Sequence, residues 1–137
     1  MIKEYWLNLP VKDLEKSKEF FTKIGFTPQE NQPSGDMCGF YFGEKKMALM
    51  LVKEETFQHF SQTAIVDTKN SAEILISFDA ESREEIDETA SKVFDAGGTI
   101  FSEPQEIQGW MYGFAFADLD GHRWNQLFMD SSKMPKP

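Results

Sequence analysis

The chain contains a single cysteine, Cys38, and only two histidines, His59 and His122. One cysteine excludes an internal disulfide and a zinc site built on several thiolates. The two histidines are too far apart in sequence to form the i, i+4 pair of a helical zinc site. No apolar run approaches the roughly 20 residues of a membrane-spanning helix. Met1 is followed by Ile-Lys-Glu and then a strand-like stretch, a pattern unlike a signal peptide. Positive charge is also in short supply. Lys and Arg number 14 against 23 Asp and Glu, for a net charge of -9. Such a surface disfavours nucleic acid and anionic membrane as partners. A cytoplasmic protein is expected.

What is abundant is aromatic bulk. Thirteen Phe and three Trp in 137 residues supply the buried area of one ordinary domain. Near the start, Leu7, Leu9 and Val11 alternate with Trp6, Asn8 and Pro10, the period of a strand with two unlike faces. Pro10 is expected to end the pairing or to lie at an edge. Asp13 is a suitable N-cap, and Lys16 stands where a capping box would need Glu. Leu14, Ser17, Phe20, Phe21 and Ile24 follow at helical spacing, and Gly25 closes the helix. Strands are expected at 26–30, 37–42 and 47–52, with a turn at 31–36 and a short helix at 54–60. A polar connection spans 61–72.

The order then repeats. A strand is expected over 73–78, with Ile74, Ile76 and Phe78 on one face. Ser82 and Glu85 form a capping box ahead of a helix whose stripe is Ile86, Ala90, Val93 and Phe94. Gly97 and Gly98 end that helix. A short strand at 99–101, a loop over "SEPQEIQG", and strands at 110–117 and 123–129 complete the series, with "DLDG" as the last turn. Both halves therefore read strand, helix, strand, strand, strand. That is a duplication of roughly fifty to sixty residues per unit. Two curved sheets, each with a helix on its convex face, are the expected product.

The stretches "LPVKDLEKSKEFFTKIGF" and "FAFADLDGHRWN" resemble the glyoxalase/bleomycin resistance/dioxygenase (vicinal oxygen chelate) superfamily. "NLPVKDL", "SREEIDE", "AGG" and "MYGFAFADLDGHRWN" are also similar to a subgroup labelled predicted lactoylglutathione lyase. The resemblance implies an α+β fold of two βαβββ modules whose curled sheets surround a small-molecule cavity. It implies one domain over 1–130, with modules at about 1–60 and 70–130 and a frayed tail at 131–137. It also implies a homodimer, with a monomer of two paired modules as the alternative, since the chain holds both units.

Metal-dependent members of the superfamily place three or four ligands on the cavity floor. Carried over motif by motif, the first position falls on Trp6, seven residues before Asp13 of "VKDL". The second falls on Met50, the third on Glu73, and the fourth on Asn125, four residues after Gly121 of "DLDG". An indole offers a metal no lone pair, and a thioether is a soft donor. An amide is neutral and weak, so only Glu73 is a good donor for a divalent metal. A register slip could bring in Glu4 or Glu55, at the expense of the apolar alternation. His59 on the short helix and His122 in the last turn lie off the floor. No cofactor is expected.

Alternation puts Trp6 and Asn8 on one strand face, with Met50 and Val52, then Glu73, Leu75 and Ser77, then Asn125 and Leu127. Trp110, Met111 and Tyr112 open the seventh strand and are expected at the rim. The candidate ligand-binding set is thus Trp6, Asn8, Met50, Glu73, Leu75, Trp110, Tyr112 and Asn125. It has the composition of a ligand pocket, apolar walls with few polar groups. The same side chains could instead simply fill the interior. Glu73 has two placements: buried, where it could act as acid or base, or exposed at the strand start. Cys38 has no activating neighbour in sequence and reads as a structural thiol.

Three functions are open: metal-free binding of a small organic molecule, lyase-like or other enzymatic chemistry centred on Glu73, and interaction through the sheets with a filled pocket.

Overall fold

The computed structural model describes residues 1–30 and 35–135. The elements run β1 (Trp6–Val11), α1 (Leu14–Lys23), β2 (Thr27–Pro28), β3 (Met37–Phe42), β4 (Met47–Lys53), α2 (Glu54–Ser61), β5 (Leu75–Asp79), α3 (Arg83–Asp95), β6 (Thr99–Ile107), β7 (Met111–Ala117) and β8 (Arg123–Met129). The chain divides into two compact units, Met1–Asp67 and Thr68–Pro137. Each carries one four-stranded sheet, in the orders β1-β4-β3-β2 and β5-β8-β7-β6. The orders are the same once four is added to each strand number. The sequence duplication is therefore a duplication of topology, in an α+β fold.

In the first unit Asp13 caps α1 by accepting from the Lys16 amide at 3.1 Å. Leu14, Ser17, Phe20 and Phe21 point from α1 into the core. Phe21 meets Phe40 of β3 at 6.0 Å between ring centroids. Leu9, Val11, Cys38, Leu49 and Leu51 complete this buried layer. β1 runs parallel to β4 and, among the described residues, pairs with it alone, so Pro10 lies on an edge strand and the pairing continues through it to Val11. Of the turn expected at 31–36, Gly35 and Asp36 are in a turn, and the other four residues lie outside the described set.

In the second unit, α3 lies against β6, β7 and β8. The Glu85 amide donates to Ser82 Oγ at 3.1 Å. Its carboxylate accepts from the amide of Glu81, one residue before the cap, rather than from Ser82 itself. Ile86, Thr89, Ala90 and Val93 are the buried residues of the helix. Phe94, expected in the stripe, is 72% exposed, and Thr89 takes the inward place. The Thr89 hydroxyl is satisfied by donating to the Glu85 carbonyl at 2.9 Å, which lets a polar residue sit inside. Under the helix, Phe116 stacks on Trp124 at 6.3 Å and on Phe114 at 5.4 Å.

Two strands differ from expectation. β6 extends through "SEPQEI" to Ile107, with register shifts between Ile100 and Ser102 and between Ser102 and Gln105. Bulges place extra residues in the strand and disturb the alternation that would have revealed it. It then turns through Gln108 and Gly109, both at positive φ, with the Trp110 amide donating to the Ile107 carbonyl. That is a tight hairpin of the type favoured by strand twist. β5 begins at Leu75, so Glu73 and Ile74 precede it.

The β7–β8 turn is built on Asp118, which is only 6% exposed. Its Oδ1 accepts from the amides of Asp120 and His122, each at 3.0 Å. Its Oδ2 accepts from Trp124 Nε1 at 3.0 Å, so one carboxylate joins the turn to the largest core side chain. Burial pushes the Asp118 carboxyl up, opposed by His122, the indole N–H and the two amides. Gly121 has φ of +89°, and a Cβ there would lie 2.6 Å from the Thr68 carbonyl oxygen. The Thr68 hydroxyl donates to the Asp120 carbonyl, holding the end of the polar connection against this turn. After β8, Ser132 and Lys133 donate back to Asp130, so the tail begins as an ordered turn.

Two substitutions measure these contributions. Phe116→Ala is expected to cost about 3–5 kcal/mol through cavity formation. Asp118→Asn is expected to cost about 1–3 kcal/mol, because an amide nitrogen would face an N–H donor inside the turn. Denaturant unfolding monitored by Trp fluorescence checks both. An Asp118→Asn midpoint equal to the parent's would show that the carboxylate does not hold the turn.

Candidate functional site

Each sheet has one face under α1 or α3 and an opposite, open face that is only partly exposed: Met50 and Val52 on the first sheet and Ala117 on the second are buried. The strand registers assign side chains to these faces. On the open face of the first sheet, Trp6 stands beside Ala48 and Tyr41, and Asn8 stands beside Met50 and Gly39. Met50 is 8% exposed, whereas Trp6 at the strand start is 58% exposed. Gly39 is required for this arrangement. A Cβ in its place would collide with the Gln29 carboxamide and lie 3.1 Å from Met50 Sδ. The missing side chain leaves the space that Gln29 and Met50 fill. Lys46 places its ammonium 5.5 Å from the centre of the Tyr41 ring at the end of the same face.

On the open face of the second sheet, Leu75 stands beside Arg123, and Ser77 beside Asn125. The Ser77 hydroxyl donates to Asn125 Oδ1. Ala117 and Ala115 of β7 continue the same two rows. Arg123 lays its guanidinium 4.4 Å from the centre of the Phe101 ring. Sequence reasoning missed Arg123 and Phe101 as site candidates. Arg123 was detectable, because it lies two residues before Asn125 and shares its face. Phe101 was not, because the β6 bulge breaks the alternation there.

The remaining sequence candidates lie elsewhere. Glu73 is exposed, in the connection before β5, and not on the strand. This is the exposed placement of the two considered, and it removes the buried acid or base. Trp110 occupies the turn before β7, with its carbonyl accepting from the Asp130 amide at 2.8 Å. Tyr112 lies on the helix face. It pairs with Phe128, and its hydroxyl donates to Asp87 of α3 at 2.7 Å. Arg83 covers both rings, 5.9 Å from the Tyr112 centroid and 5.2 Å from that of Phe128. It binds Glu106 through Nε at 2.8 Å and approaches Asp130 at 3.9 Å. Tyr112 thus belongs to a clamp of α3 on the sheet, because its position in the alternation is opposite to that of Asn125.

Cys38 is 2% exposed beneath α1, and burial pushes its thiol up. A raised thiol is a poor nucleophile at neutral pH, which agrees with a packing role. His59 is exposed on α2, and His122 is in the Asp118 turn.

A model of the Glyoxalase/Bleomycin resistance protein/Dioxygenase superfamily matches residues 5–125. The chain belongs to that superfamily. No curated protein matches it. Among solved structures it is similar to a hypothetical protein from S. aureus, with 38% identity, TM-score 0.84, and coverage of 93% of this chain and 95% of that one. It is also similar to a glyoxalase/bleomycin resistance protein/dioxygenase family enzyme from Burkholderia phytofirmans, with 18% identity, TM-score 0.78, and coverage of 90% and 96%. A fosfomycin resistance protein from Listeria monocytogenes shares the fold at 18% identity and TM-score 0.68, with coverage of 97% and 98%.

Many superfamily members use a divalent metal, and the donor chemistry here does not fit one. Trp6 has no lone pair to give, and Met50 offers a thioether. Glu73 is off the strand, and Asn125 Oδ1 already accepts from Ser77. Among the described residues no group of three or more His, Cys, Asp and Glu converges. No helix among the described residues is long and apolar enough to cross a membrane.

The Arg83 clamp gives a pH prediction. Glu106 is held below the ordinary carboxylate range, first by its hydrogen bond from Arg83. A depressed folded value means that its contribution to stability is present above the unfolded value and is lost as pH falls through the folded one. Carboxyl NMR titration is expected to give Glu106 a lower midpoint in the parent than in Arg83→Gln. Equal midpoints would mean that the clamp is not formed in solution.

Proposed function

We propose that this superfamily member binds a small, partly aromatic organic molecule on the open face of its first sheet without a metal ion. The supporting observation is the row of Trp6, Asn8 and Met50 on the first sheet. An exposed indole, an amide and a nearly buried thioether form a wall for stacking and for one or two hydrogen bonds. Met50 is flexible enough to repack around different ligands. Trp6 and Met50 occupy positions at which metal-dependent relatives need hard donors. They favour apolar recognition over Lewis-acid catalysis.

In this reading Trp6 supplies contact area, Asn8 orients the ligand, and Gly39 keeps room for Gln29 beside Met50. No bond-making step is assigned to Glu73, because an exposed carboxylate outside the strand faces no fixed partner.

The test uses protein purified without a metal-affinity tag. Its metal content is measured, and nickel, zinc, iron and manganese are titrated against thermal stability. Neither bound metal nor a stabilising shift is expected. A panel of small aromatic compounds is then screened by Trp fluorescence with EDTA present. Binders are expected to quench the parent and to lose most of that quenching in Trp6→Phe. Stoichiometric metal binding, or ligand binding only when metal is added, would overturn the reading.

A further inference from the structure

The chain has two arginines, and they are treated very differently. Arg83 is paired with Glu106 and Asp130. Arg123 forms no ion pair and no hydrogen bond from its side chain among the described residues, in a protein of net charge -9. Carboxylates lie on or beside other strands of the same sheet. Glu73 precedes β5, Asp79 ends it, and Glu103 lies on β6, yet none reaches the guanidinium. What holds Arg123 in place is the Phe101 ring. A guanidinium lying over a ring has its face covered and its N–H edge turned outward, so stacking leaves its donors available.

Asn125 adds to this edge. It is two residues along β8, so its side chain shares the face about 7 Å away. Ser77 occupies its Oδ1, which leaves the two Nδ2 hydrogens without a partner among the described residues. The pair therefore offers a ligand the guanidinium N–H groups and the two Nδ2 hydrogens as donors. Beside them Ala115 of β7 has no side chain beyond Cβ and is half-buried, whereas Ala117 is buried. Leu75 borders the same place and is exposed.

We propose that Arg123 and the Asn125 amide form an oxyanion subsite on the second sheet. Its ligand would be a small organic anion, a carboxylate or a phosphonate, whose apolar part lies along Leu75 and Phe101. The planar fork of arginine matches either group through paired hydrogen bonds. This inference rests on the metal-free binding reading and adds an anionic ligand class on the second sheet.

The experiment is NMR titration of the full chain, with EDTA present, using benzoate, phenylphosphonate and the neutral analogue benzamide. At least one anion is expected to shift the Arg123 Nε–H and Asn125 Nδ2 signals saturably. Benzamide should bind about tenfold or more weakly, because it cannot form the charge-assisted pair. Response to benzoate alone or to phenylphosphonate alone identifies the group preferred. Arg123→Gln is expected to lower anion affinity by about tenfold or more and to leave benzamide unaffected, with Arg123→Lys restoring part of the loss. If Arg123→Gln does not fold, Asn125→Asp gives the same reading, since a carboxylate there competes for the guanidinium. Equal binding of benzoate and benzamide, anion binding retained in the variants, or no shift at Arg123 and Asn125 would each overturn the subsite. Quenching of Trp6 by neutral aromatics, without any anion preference, would retire the subsite alone. Anion binding at Arg123 together with stoichiometric metal binding would instead retire the metal-free reading and keep the subsite.

Discussion

A helix laid across one face of a four-stranded sheet is the interaction on which each half of this protein depends. In the first unit Phe20 and Phe21 of α1 seal against Phe40 and the inward residues of β4. In the second, Ile86 and Val93 of α3 cover the stack of Phe114, Phe116 and Trp124. Because side chains alternate along a strand, choosing the buried face also chooses the other. Trp6, Asn8 and Met50 are set on the open face by the same alternation that buries Leu9 and Leu49. Arg123 and Asn125 are set there by the burial of Trp124 and Gln126.

The turns then hold the strand ends in register. Asp118 accepts from three N–H donors, one of them on the Trp124 indole, so the last hairpin cannot shift without exposing a buried carboxylate. Trp124 therefore works twice, as core bulk and as a hydrogen-bond donor to the turn. Its neighbours in sequence, Arg123 and Asn125, face the other way. The stability of the turn and the orientation of the proposed anion subsite thus have one origin. On the helix side, Arg83 fastens α3 to the sheet by covering Tyr112 and Phe128 while pairing with Glu106. The two arginines differ: Arg83 pairs with Glu106, and Arg123 has no ion pair among the described residues.

Superfamily membership does not by itself carry an activity. The relatives named above include a glyoxalase-family enzyme and a fosfomycin resistance protein, each sharing the fold at 18% identity. Function has to be argued from the side chains on the open faces. Those side chains are an indole, a thioether, amides and a stacked guanidinium. The proposed metal-free binding reading rests on them.

Much of this was legible in the sequence, because it depends on local periodicity. The alternation in "WLNLPV", the Asp13 and Ser82 caps, the repeated order of elements and the poor metal donors at Trp6 and Met50 are all short-range features. The face shared by Leu75, Ser77 and Asn125 follows from counting by two. Three things needed the tertiary structure. The β6 bulges hide a strand and bring Phe101 under Arg123, since one extra residue inverts the alternation. Tyr112 belongs to the α3 clamp because its partner, Asp87, is 25 residues away in sequence. Glu73 falls outside β5 because the pairing with β8 starts only at Leu75 and Arg123. Sequence patterns specify which face a residue prefers. Only long-range pairing specifies where a strand begins, where it bulges and which partner meets a side chain.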